Sequence, residues 1–215
     1  FVIDENDIDP SRDPSIVAVQ LDENVKINDT INFKSHISYF GFRKLDDDFM
    51  KRVTEGGPGF NGNTAGLTSN QHVDILEFHG GTTFTAVEDW PLTLWGNFVV
   101  NLSADGIGEG KQNKGFGVGV EVGDKKKFVR VGAAYFQMEA DAVPSNLHDS
   151  DVFDGNSNGK TWLVALTRQL WTNTGFHVRA YITDELDDDV TPLQDGGTGA
   201  PNDRVRIQTN IIVKF

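Results

Sequence analysis

Val205-Arg206-Ile207-Gln208-Thr209-Asn210-Ile211-Ile212-Val213-Lys214-Phe215 is the stretch that decides the fold class. Val205, Ile207, Thr209, Ile211, Val213 and Phe215 fall on one side of a period-2 pattern, while Arg206, Gln208, Asn210 and Lys214 fall on the other. Successive side chains of a strand point to opposite faces, so this segment has one greasy and one wet face. The pattern recurs upstream. Phe176, Val178, Ala180 and Ile182 oppose His177, Arg179, Tyr181 and Thr183. Phe116, Val118, Val120 and Val122 alternate with Gly117, Gly119 and Glu121, and Ile31, Phe33, Ile37 and Tyr39 oppose Asn32, Lys34, His36 and Ser38. Helical spacing is almost absent. Nine full strands are expected, near 16–22, 31–43, 73–86, 91–103, 115–123, 127–139, 161–171, 175–186 and 203–215. Arg168, set among Trp162, Val164, Leu166 and Leu170, makes the facing of the seventh strand ambiguous or broken by a bulge.

Composition narrows the class. The 215 residues carry 32 Asp+Glu against 19 Lys+Arg, a formal net charge of −13, with no Cys. No Cys excludes a disulfide framework, a zinc ribbon and thiol chemistry. An acidic chain is a poor partner for nucleic acid, whose phosphates require clustered Lys and Arg. A content of 38% hydrophobic residues, including 15 Phe and four Trp, is too rich for a disordered acidic chain.

The connections sharpen the reading further. Short links at 23–30, 87–90, 124–126 and 172–174 alternate with long links at 44–72, 104–114, 140–160 and 187–202. Strands of about ten residues with alternating short and long links are the pattern of an outer-membrane barrel, tight turns on one side and long loops on the other. Aromatics gather near the short turns (Phe84, Trp90, Phe128, Trp171, Phe176, Phe215), where an interfacial girdle would sit. The expected fold is therefore all-β: an antiparallel transmembrane β-barrel, with nine to ten strands present of a larger barrel for which 16 strands is one candidate size. Phe1-Val2-Ile3 reads as the tail of a further strand and residues 4–14 as its external loop. The chain is thus expected to be the C-terminal portion of one barrel, closed by upstream chain or by other copies. Charge follows the same division: segments 4–13, 46–55, 105–114, 141–154 and 184–195 hold 21 acids and 5 bases, all on the expected long-loop side.

Two stretches resemble a known family. Asp89-Trp90-Pro91-Leu92-Thr93-Leu94-Trp95-Gly96-Asn97-Phe98-Val99-Val100-Asn101 is similar to the Pro-Val-Thr-Leu-Phe-Gly-like strand ending in Asn of the "putative porin" family, outer-membrane barrels of Gram-negative bacteria. Glu139-Ala140-Asp141-Ala142-Val143-Pro144, followed by Asp149-Ser150-Asp151 and a Gly-rich turn, is similar to that family's Ala-Asp-Ala-Val-Pro and Asp-Ser-Asp segment. The terminal Phe215 fits the aromatic that barrel-assembly machinery reads. The resemblance covers about residues 70–215, departs from the family at Trp95, and implies passive diffusion of small solutes or ions with no catalytic residue. It also implies the outer membrane as location and its lipid and lipopolysaccharide as surroundings, with a homotrimer as one assembly.

Candidate sites follow from the faces. Lys34, His36, Glu77, Glu121, Arg130, Arg179, Arg204 and Arg206, with Glu139 and Lys214, are expected to point inward, where charged rings set ion preference. Asp149, Asp151, Asp154, Asn156 and Asn158 form a candidate divalent-cation loop for Ca²⁺, because alternate oxygen ligands and a Gly suit a hard cation. The twelfth position is Ala165 rather than Glu, so this is not an EF-hand. The acidic run Asp184–Asp189 would gather cations at the mouth, bridge to lipopolysaccharide, or simply be solvated. Loop 44–72, with Gly56-Gly57-Pro58-Gly59, is the candidate for folding inward. No cofactor is expected otherwise. The competing readings are a barrel sheathing a partner such as an electron-transfer cytochrome, a barrel hydrolase using one of His36, His72, His79, His148 or His177, and a soluble sandwich.

Overall fold

A computed structural model describes residues 14–44, 63, 72–87, 90–104, 111–144, 150–153, 157–187 and 204–214. Nine strands form one antiparallel sheet in strict sequence order: β1 (Ser15–Lys26), β2 (Ile31–Arg43), β3 (His72–Phe84), β4 (Leu92–Asn101), β5 (Lys114–Val122), β6 (Arg130–Met138), β7 (Gly159–Trp171), β8 (Thr174–Glu185) and β9 (Arg204–Val213). One helical turn, α1 (Ser150–Phe153), lies between β6 and β7. All nine expected strands are present. Among the described residues β1 pairs only with β2, and β9 only with β8, so the sheet they form is open rather than closed into a barrel.

Two boundaries differ from expectation for physical reasons. β1 continues four residues beyond 22 because its polar stretch meets polar partners: Asp22 lies opposite His36, Glu23 opposite Ser35 and Asn24 opposite Lys34. The link to β2 shrinks accordingly to 27–30, where the Asn28 side-chain oxygen accepts from the Thr30 N–H, an Asx turn. In β7 the register shifts between Gln169 and Trp171, which leaves Leu170 as the bulged residue. Arg168 lies before the shift and stays on the greasy face opposite Phe176, its guanidinium 5.7 Å from the Phe128 ring centre.

The register assigns each paired strand residue to one of two faces. Apart from Ile212 and the bulged Leu170, every exposed large hydrophobic within a strand lies on the same face, from Leu21 (71% exposed) on β1 through Val164 (54%) on β7 to Ile207 (70%) on β9. Charged residues reach this face only within four residues of a strand end, and those at the long-loop end are partly paired: Arg43 with Asp74 at 2.7 Å and Lys160 with Asp184 at 2.8 Å. Aromatics bracket the apolar band on both sides. Trp90 and Phe128 pack at 6.0 Å by the short turns, and Phe116, Tyr135 and Trp162 form a chain (6.0 and 4.8 Å) in the long-loop half. This second aromatic level was not expected from the sequence.

The strands are also staggered. The row of direct partners that begins at Lys26, the last residue of β1, runs through Thr83, Glu121 and Ala165 to Gln208, five positions before the end of β9. Most of the slip falls between β6 and β7, where Gly132 lies two positions from the short-turn end of its strand and its partner Ala165 six; a slip of this kind tilts the strands against the line of turns, as a rolled sheet requires.

Candidate functional site

The opposite face carries the polar groups, and the register brings Lys34, His36, Glu77, Glu121, Arg130, Arg179, Arg204 and Arg206 onto it together. Glu77 accepts from the Asn97 Nδ2 at 2.6 Å, and Glu121 faces the Arg130 guanidinium at 3.4 Å. Arg179, Arg204 and Arg206 concentrate on β8 and β9, opposite Gln208, Thr183 and Tyr181. Acids therefore stand on β3 and β5, and a run of Arg stands at the far edge. Glu139 and Lys214 fall just outside the strands. The Glu139 carboxylate instead accepts from the Lys114 backbone N–H at 2.8 Å, so it caps the start of β5 rather than joining a charged row.

This face is not uniformly wet, which the sequence reading missed. Toward the long loops it is a hydrophobic core of Phe42, Val73, Ile75, Val99 and Ala142. Residues 139–144 and α1 lie over it as a strap. Asn101, fully buried, donates from Nδ2 to the Asp141 carbonyl at 2.8 Å, and its side-chain oxygen accepts from Ser103 N–H. Thr161 and Thr183 hydroxyls both donate to the Val152 carbonyl, and Phe153 lies against Gly159. Of loop 44–72, only Lys44, Asn63 and His72, the first residue of β3, are described. Asn63 is buried and donates to the Ala140 and Val143 carbonyls, which fixes the strap. The expectation that this loop folds inward otherwise lies outside the described residues. Asn101→Ala should remove one bond to the strap and another to Ser103, costing about 1 kcal/mol for each. Limited proteolysis should then cut within 139–158 faster than in the parent protein.

Below the strap an aromatic ladder crosses the sheet. His36 stacks on His79 (4.8 Å between ring centres, 11° between planes), His79 on Trp95 (6.1 Å), and Trp95 packs on Phe136 (5.7 Å). Trp95 reaches Phe136 across β5 because Gly117 and Gly119 lie beneath the rings; a Cβ on Gly119 would stand 2.4 Å from the Trp95 ring. The alternate Gly115, Gly117 and Gly119 were the available signal, since a bare glycine row on one face calls for a ring to cover it.

The candidate cation loop lies almost wholly outside the described residues. Asp149, Asp154 and Asn156 lie outside them, as do the side chain of Asp151 and all of His148 and Phe215. Asn158 is buried in a left-handed conformation (φ 57°), and its Nδ2 donates to Glu185 and to the Asp187 carbonyl. No group of three His, Asp or Glu able to hold a metal is found among the described residues. Part of the acidic run is anchored rather than free in solvent: Asp184 pairs with Lys160, and Gln112 Nε2 donates to the Asp187 carboxylate at 3.3 Å. His72 opens β3 at the long-loop rim of the apolar face, and His177 lies on the polar face opposite Thr167 and Asn210. Comparison with known protein families and with curated proteins finds no match to this chain.

Proposed function

We propose that this chain is part of an outer-membrane β-barrel acting as a porin, a passive path for small hydrophilic solutes or ions. The observation that carries the reading is the inversion of faces. In a water-soluble sheet the apolar face is covered and the charged face is open. Here the apolar face is exposed across nine strands, roughly 40 Å at the usual spacing of about 4.8 Å, while the other face holds the charges and the covered core. Soluble monomers rarely expose an apolar patch beyond a few hundred Å². Lipid would cover it. The aromatic levels, the charges confined to strand ends and the strand stagger fit the same surroundings, as does the resemblance of 89–101 and 139–159 to Gram-negative outer-membrane porins.

Closure then has to come from partners for the free edges of β1 and β9, since unpaired backbone groups are costly in lipid. Those partners would be further chain or other copies, a trimer included. Lys34, His36, Glu77, Glu121, Arg130, Arg179, Arg204 and Arg206 would line the water path. A second reading, a barrel that sheathes or anchors a partner protein, is favoured by the hydrophobic core and strap on the inward face, which narrow the path. Two measurements separate them. The protein in detergent should migrate faster unboiled than boiled, and in planar bilayers it should give discrete conductance steps. A single band with and without boiling would sink the barrel. A heat-modifiable band without conductance would sink the porin and leave the sheath.

A further inference from the structure

At the short-turn end, three separate segments bring cations to one cleft of about 370 Å³. Lys125 and Lys126 come from the β5–β6 turn, Arg168 from β7, and Lys214 follows β9; His177, from β8, adds an imidazole to the lining. No Asp or Glu among the described residues lines it. The nearest acid in sequence, Asp124, accepts through its carboxylate from the Lys126 N–H at 2.8 Å and so folds back on its own turn. Backbone bonds hold the segments in place: the Gln169 N–H donates to the Lys125 carbonyl at 2.8 Å, and the Lys214 N–H to the Asn173 carbonyl at 2.9 Å.

Gathering like charges costs energy unless an anion compensates, and in a chain of net −13 the gathering is not a by-product of general basicity. We propose that this cleft binds a phosphate group. Phosphate offers several acceptor oxygens and up to two charges, matching several converging donors better than a lone carboxylate would. Two sources share that chemistry, a phospholipid headgroup and a free phosphate. The surroundings favour the headgroup. Thr167, Gln169, Gly175, His177 and Ile212 line the cleft from the polar face, while Arg168 reaches it from the apolar face, where Trp171 (68%) is exposed and an acyl chain would run. The lipid source rests on the membrane reading above, whereas the phosphate chemistry does not.

The full chain purified in detergent is exposed to phosphatidylglycerol or phosphatidylcholine, and retained lipid is counted by native mass spectrometry. Inorganic phosphate is titrated separately in detergent and followed by ³¹P line width. The variants are Lys125→Gln/Lys126→Gln and, independently, Arg168→Gln; Lys26→Gln, at the β1–β2 turn where Lys26 pairs with Asp29, is the control for loss of one positive charge elsewhere at the same end. Preferential retention of phosphatidylglycerol, weakened roughly tenfold by the double variant and unchanged by Lys26→Gln, is the expected result. Broadening by inorganic phosphate that the double variant abolishes, without any preference between lipids, would assign the cleft to a soluble phosphate. Equal behaviour of parent and both cleft variants in both arms would overturn the proposal. A chain that never inserts into bilayers would refute the barrel while leaving the phosphate titration readable.

Discussion

Val164→Arg is expected to destabilise the protein by about 2–4 kcal/mol in lipid, the cost of an Arg near the bilayer midplane on the outer wall of a barrel. Val164 is 54% exposed, so in water the same change would stay within about 0.5 kcal/mol. The site is chosen for its surroundings. Its direct partners are Ala133 and Ala180, its neighbours on the same face of β7 are Trp162 and Leu166, and the nearest charges on that face of β7 are Lys160 and Arg168, four positions away on either side. An Arg there has no anion within easy reach and must displace lipid or drag water inward. Asn210→Arg on the polar face of β9, also exposed, is the matched control and should be close to neutral. Denaturant unfolding of the vesicle-reconstituted protein, followed by loss of the fast-migrating gel band, reads both. Near-neutral behaviour of Val164→Arg would remove lipid as the medium over this face and return the chain to the soluble or partner-covered readings.

How much was legible beforehand differs between strands and what lies on them. Period-2 alternation marked all nine strands because each has one face that must be apolar, and a one-residue slip would move that whole face to the wrong side. That constraint also placed the eight charged residues correctly on a common face. Alternation says nothing about height along a strand, however. Phe42, Val73, Ile75 and Val99 lie on the polar face but near the long-loop ends, and in a single-strand pattern they look like interruptions. Only when neighbouring strands are aligned do they form one patch, and that patch needs a cover. The cover, residues 139–144, reads as loop because its burial depends on Asn63 and Asn101, 77 and 40 residues away. Long-range side-chain bonds of that sort leave no local periodicity. The bulge in β7 was half legible: Arg168 announced an irregularity, yet the shift falls at Leu170, and Arg168 keeps its facing through Phe128. The extension of β1 was illegible for the opposite reason, since polar residues in a strand carry no signal until their polar partners on β2 are known.

Gly119→Val is expected to cost about 3 kcal/mol, at the upper end of the usual range for over-packing, through one identifiable neighbour. A Cβ at this position would meet Trp95 Cε2 and Cζ2 at 2.4 Å and Nε1 at 2.7 Å, all within one rigid ring system. The indole cannot yield by a small rotation, because it is held between His79 at 6.1 Å and Phe136 at 5.7 Å, and Phe136 in turn lies over Gly117. Valine therefore forces Trp95 out of its groove and breaks the stack from His79 to Phe136. The test is a double-mutant cycle. Trp95→Ala removes the clashing ring, so Gly119→Val in that background should cost little, leaving a coupling of about 2–3 kcal/mol between the two positions. Additive costs would show that Gly119 is required for its backbone rather than for the ring above it. The cycle also bears on the proposed solute path. A displaced indole would project from the face that also carries Glu77 and Asn97, so under the porin reading Gly119→Val should lower single-channel conductance, and the further removal of the ring by Trp95→Ala should restore it. Conductance that follows stability alone, falling in every destabilised variant alike, would detach Trp95 from the solute path.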